Sequence, residues 1–382
     1  MLRAQAAAWR VTSPTVAGPI AQLRPAESMG WIAVGAGGAL WWLRTQSTPL
    51  QLASGIDPRT PIDAAHGRVF ARRTDGRLWI GGAGGQVSVS ATSVAREGGF
   101  ATLPLGVIAV EGEGENAHLV RLEPHAGGRW QATARSRDAV LPDARPVQVD
   151  LDGVGDAGHI AVLAGPDATR YPHGVLGDDI EATRVLYLER HSLEPMRSLE
   201  LAAPHVFEHN RLRPWRDGSS VALVTVRSGP QGSQLVAIEV EPAQPQALRI
   251  AALGEPIGTR ARWMSPSTDG RHLLSVHTPH IGGVLHRYRR DAGRLVSMKL
   301  AEGVSNHAIG SHDLDQSAWI ASRFVLPDMS RRVLRSFDLE HGRELPPLEM
   351  PGVLRALSTD AEQRSIAALF EDGSLRLLAP RD

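Results

Sequence analysis

Short apolar runs arranged in pairs recur along almost the whole chain, and this pattern limits the possible folds more than any other feature. Most runs have four to seven residues, are rich in Val, Ile, Leu and Trp, and are bounded by Gly, Asp, Asn or Pro, as is typical of short strands. The pairs that predict hairpins are WIAV with ALWWLR (31–44), RVFAR with RLWIGG (68–82), GVIAVEG with AHLVRLE (106–123), HIAVLAG with TRVLYLER (159–190), SVALVTV with SQLVAIEV (220–240), HLLSVHT with GVLHRYRR (272–290), SAWIASR with RRVLRSFDL (317–339) and SIAALFE with SLRLLAP (365–380). A repeat of this kind indicates radial or stacked repetition.

A β-propeller is the architecture that best fits the repeat. One propeller blade is a four-stranded sheet of about 40–50 residues, and the chain has 382 residues. We therefore expect an all-β protein that forms a seven-bladed β-propeller, with eight blades as the alternative. Because the repeats of a closed ring depend on one another, we expect residues 1–382 to form a single domain. Proline-rich stretches at 239–246 and 343–352 are expected to connect blades, since proline is excluded from central strands.

Composition excludes several classes of function. The chain has 41 Lys+Arg and 41 Asp+Glu, so it has no net charge that would attract nucleic acid, and we expect no nucleic-acid partner. The absence of cysteine excludes disulfides, zinc–thiolate sites and thiol nucleophiles. The longest apolar stretch, Gly30 to Leu43, has 14 residues and is interrupted by glycines. A membrane-spanning helix needs about 20 residues, so we expect no transmembrane segment.

The segment VDLDGVGDAGHIAV (149–162) resembles the calcium-loop repeat of the FG-GAP/VCBS propeller family, in which Asp-x-Asp-x-Asp-Gly precedes an apolar strand. The resemblance covers about residues 145–325. Its further loop strings are RYPHGVLGD (170–178), PHVFEHNRLRPW (204–215), GEPIGTRARWMSP (254–266), TPHIGGVLHRYR (278–289) and SNHAIGS (305–311). It implies a repeat protein similar in architecture to the integrin α head, located in the bacterial periplasm or outside the cell. The chain carries no recognisable signal peptide, so a cytoplasmic location is the alternative.

Calcium is the cofactor that the resemblance implies. Asp150 and Asp152 occupy the first two ligand positions of the loop, but Val154 occupies the third, where Asp156 is the one acid placed to compensate. Calcium takes six to eight oxygen ligands, so each missing carboxylate weakens binding. We expect this loop to bind calcium weakly or not at all, and the other loops to be degenerate. The alternative is that the aspartates serve only as turn formers.

Histidines and acids in three loops are candidates for a ligand site. They are His173 with Asp178 and Asp179, His277 with His280, and His307 with His312. If the loops meet at one rim, their imidazoles and carboxylates can form a transition-metal site or an acid–base pair. The alternative is that these histidines only hold loop backbone in place.

Two arginines are a further candidate. Arg260 and Arg262 alternate beside Trp263, so that both guanidinium groups project to one side and can bind a carboxylate or phosphate. The alternative is an ion pair between blades.

Known enzyme motifs are missing from the sequence: there is no phosphate-binding Gly-Lys-Ser/Thr, His-Glu-x-x-His or Gly-x-Ser-x-Gly. We therefore favour a non-catalytic exported module that binds a protein or glycan, as a monomer or within a complex. One alternative is a metal-dependent propeller hydrolase or lyase with a histidine-containing central site. Another is an inert periplasmic assembly scaffold. Three or more titratable groups within metal-bonding distance would favour the enzyme.

Overall fold

The computed structural model describes residues 9–27, 30–44, 47–82, 85–153, 155, 158–218, 220–314 and 316–381. They form β-strands joined by turns, with two 3-10 helices at Gly114–Asn116 and Gly174–Leu176. Neither helix has the length and apolarity needed to cross a membrane. The chain divides into two compact units. Unit 1 contains Met1–Ser90, Gly303–Ala308 and Asp313–Asp382, and unit 2 contains Ala91–Glu302 and Ile309–His312.

The N-terminal part of unit 1 contains meanders, which are sheets whose strands pair antiparallel in chain order. The strands are β1 (Trp9–Thr12), β2 (Ile20–Ala26), β3 (Gly30–Gly35), β4 (Leu40–Leu43), β5 (Leu50–Ala53), β6 (Ile62–Ala65), β7 (Arg68–Arg72), β8 (Arg77–Gly81) and β9 (Val87–Ser93), and the last three residues of β9 belong to unit 2. Strands β2 to β5 form one four-stranded sheet, and β6 to β9 are consecutive neighbours in another.

Unit 2 continues the same pattern. Its strands are β10 (Phe100–Leu103), β11 (Gly106–Glu111), β12 (His118–Pro124), β13 (Trp130–Arg135), β14 (Val147–Val149), β15 (His159–Asp167), β16 (Glu181–Leu188), β17 (Pro195–Glu200), β18 (Val206–Phe207), β19 (Arg213–Asp217), β20 (Ser220–Gly229), β21 (Gly232–Glu241), β22 (Gln244–Gly254), β23 (Met264–Thr268), β24 (Leu273–His277), β25 (Val284–Asp291) and β26 (Arg294–Glu302). Short pairings, such as Ala182 of β16 with Phe207 of β18, join successive meanders.

The C-terminal part of unit 1 closes on the start of the chain. Its strands are β27 (Ala318–Ile320), β28 (Arg323–Pro327), β29 (Val333–Asp338), β30 (Arg343–Glu349), β31 (Leu354–Thr359), β32 (Ile366–Phe370) and β33 (Leu375–Pro380). Strands β27 to β30 form one sheet, and the last sheet has the order β1-β33-β32-β31. The N-terminal strand therefore supplies the fourth strand of the C-terminal sheet, with Trp9 opposite Pro380 and Val11 opposite Leu378.

The core lies between neighbouring sheets, and β3 shows why its apolar run is continuous. Side chains alternate between the two faces of a strand. Trp31 packs on one side with Leu369, and Ile32 packs on the other side with Ile62. Both faces are covered, so both sets of positions must be apolar. The Trp31 indole Nε1 donates a hydrogen bond to the Ser358 carbonyl oxygen at 3.0 Å, which satisfies the one polar group of this side chain.

The all-β prediction is confirmed, and seven of the eight expected hairpins pair as predicted, each as the second and third strands of a meander. The eighth was placed wrongly, because β29 pairs with β28 rather than with the SAWIASR segment that contains β27. The proline-rich stretches were also misassigned as connections. They lie largely in β21, β22 and β30, and β30 is an edge strand, where proline removes no ladder hydrogen bond.

Candidate functional site

Carboxylates from separate loops of unit 2 meet in one region, which we call the acid cluster. Its members are Glu97, Asp143, Asp178, Asp179, Glu181 and Glu208. They come from the segments before β10, β14 and β16, from the start of β16 and from the end of β18. The charges of Glu208, Asp178, Asp143 and Asp179 all act on Glu181, and those of Asp143 and Glu97 act on Asp178. The cluster concentrates negative charge in a chain that has no net charge.

Glu208 and Glu181 are the innermost members. Glu208 is 0% exposed, and both of its carboxyl oxygens are hydrogen-bonded, one to His173 Nδ1 and the other to Ser228 Oγ. Glu181 is 2% exposed, and no residue that the structure describes hydrogen-bonds to its carboxyl group. Burial raises the pKa of both groups, and the neighbouring Glu208 raises the pKa of Glu181 further. Two buried acids this close resist simultaneous ionisation.

Three outer members of the site surround His312. His312 Nδ1 lies 3.2 Å from Asp143 Oδ2, and His312 Nε2 lies 3.5 Å from Glu97 Oε2. The hydrogen bond to Asp143 raises the pKa of His312. Burial, helped by the charge of Asp143, raises the pKa of Asp178 to about 6. One ligand atom from each of Glu97, Asp178 and His312 lies within 4.8 Å of the other two.

The backbone around His312 is held firmly. Its carbonyl oxygen accepts hydrogen bonds from Asn210 Nδ2 at 3.0 Å and from Arg145 Nη2 at 3.2 Å. The neighbouring Gly310 N–H donates to the Val175 carbonyl oxygen at 3.0 Å. Gly177 has a φ of 105°, a left-handed conformation that glycine adopts without strain, and it ends the 3-10 helix so that the chain turns toward Asp178. These contacts fix the imidazole beside the carboxylates.

An aromatic group lies beside the acid cluster. The Arg260 guanidinium lies 4.5 Å from the centre of the Tyr171 ring, and the charge of Arg260 lowers the pKa of Glu208 against the larger effect of burial. Trp263 Nε1 donates to the Glu208 carbonyl oxygen at 2.9 Å, and the His280 ring stacks on Trp263 with 6.3 Å between ring centres. Arg260 therefore lies over an aromatic ring, with its charge acting on the Glu208 carboxyl group.

The structure brings some of the predicted site residues together and separates others. His173, Asp178 and Asp179 lie in or next to the acid cluster, Arg260 lies beside it, and His280 is linked to it through Trp263. Arg262 is exposed, and its carbonyl oxygen accepts a hydrogen bond from Ser233 N–H. His307 belongs to unit 1, where it is buried. His277 forms a separate group with His286 and Tyr288.

Sequence reasoning missed four carboxylates, Glu97, Asp143, Glu181 and Glu208. One of them has a recognisable signal in the sequence, because the polar triplet Glu208, His209 and Asn210 directly follows a short apolar strand. All three residues of the triplet are buried in the structure. Glu97 and Asp143 stand singly in their loops, whereas Glu181 lies two residues after the predicted site residue Asp179 in an acidic segment.

The group around His277 predicts a loss of stability in acid. The His277 ring stacks on His286 with 3.9 Å between centres, and His277 Nε2 lies 2.6 Å from the Tyr288 hydroxyl oxygen. Burial lowers the pKa of His277 to about 3, and the charge of His286, itself facing Lys299, lowers it further. The unfolded chain binds a proton below about pH 6.5 while the folded chain does not, so stability is complete above that pH and falls toward pH 3, by up to about 4 kcal/mol.

Urea unfolding between pH 7 and pH 4 measures this effect. His277→Gln, which keeps a group able to bond to Tyr288, should lose clearly less stability over that range than the unmodified protein. His66→Gln, at an exposed position, is the control and should follow the unmodified protein. Parallel pH profiles for all three proteins would contradict the assignment.

The aspartates of the predicted calcium loop are engaged within the protein. Asp150 accepts hydrogen bonds from the N–H groups of Gly153 and Gly155 at 2.8 and 3.0 Å. Asp152 accepts one from the Tyr187 hydroxyl at 3.2 Å and forms an ion pair with Arg197 at 2.8 Å. Asp156 lies outside the described residues. Both described aspartates thus hold the turn and the adjoining strands, and calcium binding at this loop stays a prediction.

Solved structures of several proteins are similar to this chain over nearly its full length. BamB from Moraxella catarrhalis matches with a TM-score of 0.60 at 15% identity, covering 97% of this chain and 100% of that chain. Sqt1 from Saccharomyces cerevisiae matches with a TM-score of 0.62 at 9% identity, covering 98% of each chain. The Dos1 propeller matches with a TM-score of 0.62 at 10% identity, covering 97% of this chain and 95% of that chain.

No family model and no curated protein matches the sequence, so the resemblance to FG-GAP/VCBS repeats stays a prediction. Identities this low carry the fold alone. Together with the successive meanders, the similar solved structures show that the chain is an all-β protein with a β-propeller fold. This architecture commonly serves as a binding or scaffold module.

Proposed function

We propose that the protein is a non-catalytic binding module whose acid cluster takes a positively charged ligand. The observation that carries this proposal is the Glu181 carboxyl group. It is buried, receives no hydrogen bond from the described residues and is acted on by four other carboxylates. A buried carboxyl without a partner costs free energy, and like charges around it increase that cost. A bound cation would offset both.

The charge balance of the site supports the same proposal. Six carboxylates from four separate segments of the chain lie in one region, where His173, His312 and Arg260 are the basic groups next to them. Groups with strongly perturbed pKa values are frequent at functional sites, which retain such arrangements despite their cost in stability. Glu97 is exposed, so the cluster is open to a ligand from solvent.

Thermal unfolding of the full chain with a panel of cations tests the proposal. The panel contains divalent metal ions, spermidine and an arginine-rich peptide. Each metal ion is also tested in the presence of a chelator as a control. At least one cation class should raise the unfolding midpoint by several degrees, because a ligand that binds only the folded state stabilises it. The shift should disappear in Glu181→Gln and persist in Glu340→Gln, whose side chain is exposed. No shift with any cation would contradict the proposal.

A metal-dependent hydrolase or lyase is the second candidate. The specific observation in its favour is that ligand atoms of Glu97, Asp178 and His312 lie within 4.8 Å of one another. A metal ion held by three protein ligands keeps a position for water and lowers the pKa of that water, which generates a nucleophile. Turnover of a phosphoester, carboxylester or glycoside that Asp178→Asn abolishes would favour the enzyme over the binding module.

We also propose that the propeller has eight blades rather than seven. The support is the grouping of the described strands into eight successive sets: β2–β5, β6–β9, β10–β13, β14–β17, β18–β22, β23–β26, β27–β30, and β31–β33 with β1. On this proposal, residues 1–382 form one propeller domain. An experimental density map with seven sheets around the axis would overturn it.

A further inference from the structure

We propose that Glu97, Asp178 and His312 form a binding site for a divalent transition-metal ion of the zinc type. This inference rests on the proposed function, since it names the class of cation that the acid cluster takes. Imidazole nitrogen combined with carboxylate oxygen suits zinc and similar ions, whereas calcium and magnesium prefer oxygen ligands alone.

The distances fit such a site. The three ligand atoms lie within 4.8 Å of one another. In a tetrahedral zinc site the metal–ligand bonds are about 2.0–2.2 Å, which places neighbouring ligand atoms roughly 3.5 Å apart. Small side-chain rotations are therefore enough to close the site around an ion. Glu97 is exposed and the other two residues are half-buried, so an ion can enter from solvent. Three protein ligands leave the fourth position of a tetrahedral site to water.

Asp143 acts as a positioning residue. Its carboxylate lies 3.2 Å from His312 Nδ1, so Nδ1 carries the proton and Nε2 is left to bind the metal. Metal-ligating histidines commonly make this second contact, which fixes the ring orientation and increases the basicity of the ligating nitrogen. Asp143 is buried. The hydrogen bonds from Asn210 and Arg145 to the His312 carbonyl oxygen hold the backbone that carries the ring.

Two buried groups next to these residues point independently to a cation. Glu181 is 2% exposed, has no hydrogen bond from the described residues and is acted on by the charges of Asp178 and Asp143. Asn210 Oδ1 is buried and has no hydrogen-bond partner among the described residues, while Nδ2 of the same amide group donates to the His312 carbonyl oxygen. The space beside His312 Nε2 is also kept open by glycine, since a Cβ on Gly177 would lie 2.6 Å from this nitrogen.

Isothermal titration of the metal-stripped full chain with Zn²⁺, and visible absorption with Co²⁺, test the inference. We expect one ion per chain with a micromolar or tighter dissociation constant that millimolar Ca²⁺ or Mg²⁺ does not change. Loss of an outer-shell partner typically weakens binding 10–100-fold. Asp143→Asn should therefore weaken Zn²⁺ binding about tenfold with a similar Co²⁺ spectrum, and His312→Ala or Asp178→Asn should weaken it at least about 100-fold.

A matched control is available in unit 1. His341 Nδ1 lies 2.9 Å from Asp338 Oδ2, which reproduces the Asp143–His312 pair, but the described residues place no two further ligands around it. His341→Ala should therefore leave Zn²⁺ binding unchanged. Circular dichroism checks that each variant is folded. If His312→Ala does not fold, the Zn²⁺ affinity of Asp178→Asn tests the inference instead. Absence of binding, or wild-type affinity in the folded ligand variants, would overturn the inference. A third outcome separates the metal inference from the proposed function. If Zn²⁺ does not bind, but spermidine or the peptide raises the unfolding midpoint of the unmodified protein and not that of Glu181→Gln, the metal inference is wrong and the proposed function stands.

Discussion

Replacing Trp9 by alanine should lower the free energy of unfolding by about 3–5 kcal/mol. Trp9 is 5% exposed and packs in a core with residues from two sheets, including Ile320, Val325 and Leu357. Its strand is also the fourth strand of the C-terminal sheet. The substitution leaves a cavity in this core. It also weakens the packing that keeps β1 paired with β33 in the C-terminal sheet. Urea unfolding followed by circular dichroism measures the effect.

Val11 provides the control for this prediction. It lies in the same strand and pairs with Leu378, but its side chain is 49% exposed. Val11→Ala should change the free energy of unfolding by no more than about 0.5 kcal/mol, as is usual for surface positions. Equal losses for Trp9→Ala and Val11→Ala would mean that pairing of β1, rather than burial of the indole, dominates. No loss for Trp9→Ala would contradict the closure of the C-terminal sheet by β1.

Glu181→Gln should have the opposite sign and stabilise the protein at pH 8, by about 1–3 kcal/mol. The folded protein raises the pKa of Glu181 through burial and through the charges of Glu208, Asp178, Asp143 and Asp179. A carboxyl group of this kind leaves stability intact below its unfolded pKa of about 4.3, and stability falls as the pH rises toward the folded pKa. Glutamine cannot ionise and avoids this loss.

The pH dependence separates this explanation from a packing effect. The gain from Glu181→Gln should be largest at pH 8 and should vanish near pH 4, where the unmodified carboxyl is protonated in both states. Glu340→Gln, at an exposed position, is the control and should change little at either pH. A destabilised Glu181→Gln at pH 8 would show that a favourable partner holds the carboxyl group in its ionised form, which contradicts the predicted rise of its pKa.

The strands were predictable because their signal is local. WIAV in β3 is apolar at every position, since Trp31 and Ile32 face different neighbouring sheets, and such a run between turn residues indicates a buried strand. Edge strands gave a weaker signal. Strand β30 has the sequence RELPPLE, mostly exposed, and its two prolines favour a loop unless the strand is known to lie at an edge. The pairing of β1 with β33 joins opposite ends of the chain and leaves no local trace.

The acid cluster could be predicted only in part. His173 and Asp178 stood out because histidine and acids occur together in one loop. Glu208, the hydrogen-bond partner of His173, is 35 residues further along the chain, and only the packing of the meanders brings the two together. Single acids such as Glu97 and Asp143 resemble ordinary loop residues in the sequence. Their role follows from the convergence of loops, which depends on the tertiary fold.

The most direct test of the cation site is the pKa of Glu181 measured by carbon-13 NMR of labelled glutamate carboxyl groups, with Glu181→Gln identifying the resonance. We predict that this pKa lies well above the ordinary value of 4.5 in the free protein and falls when the stabilising cation is added. A pKa near 4.5, or a raised pKa that no cation changes, would contradict a cation site at the acid cluster.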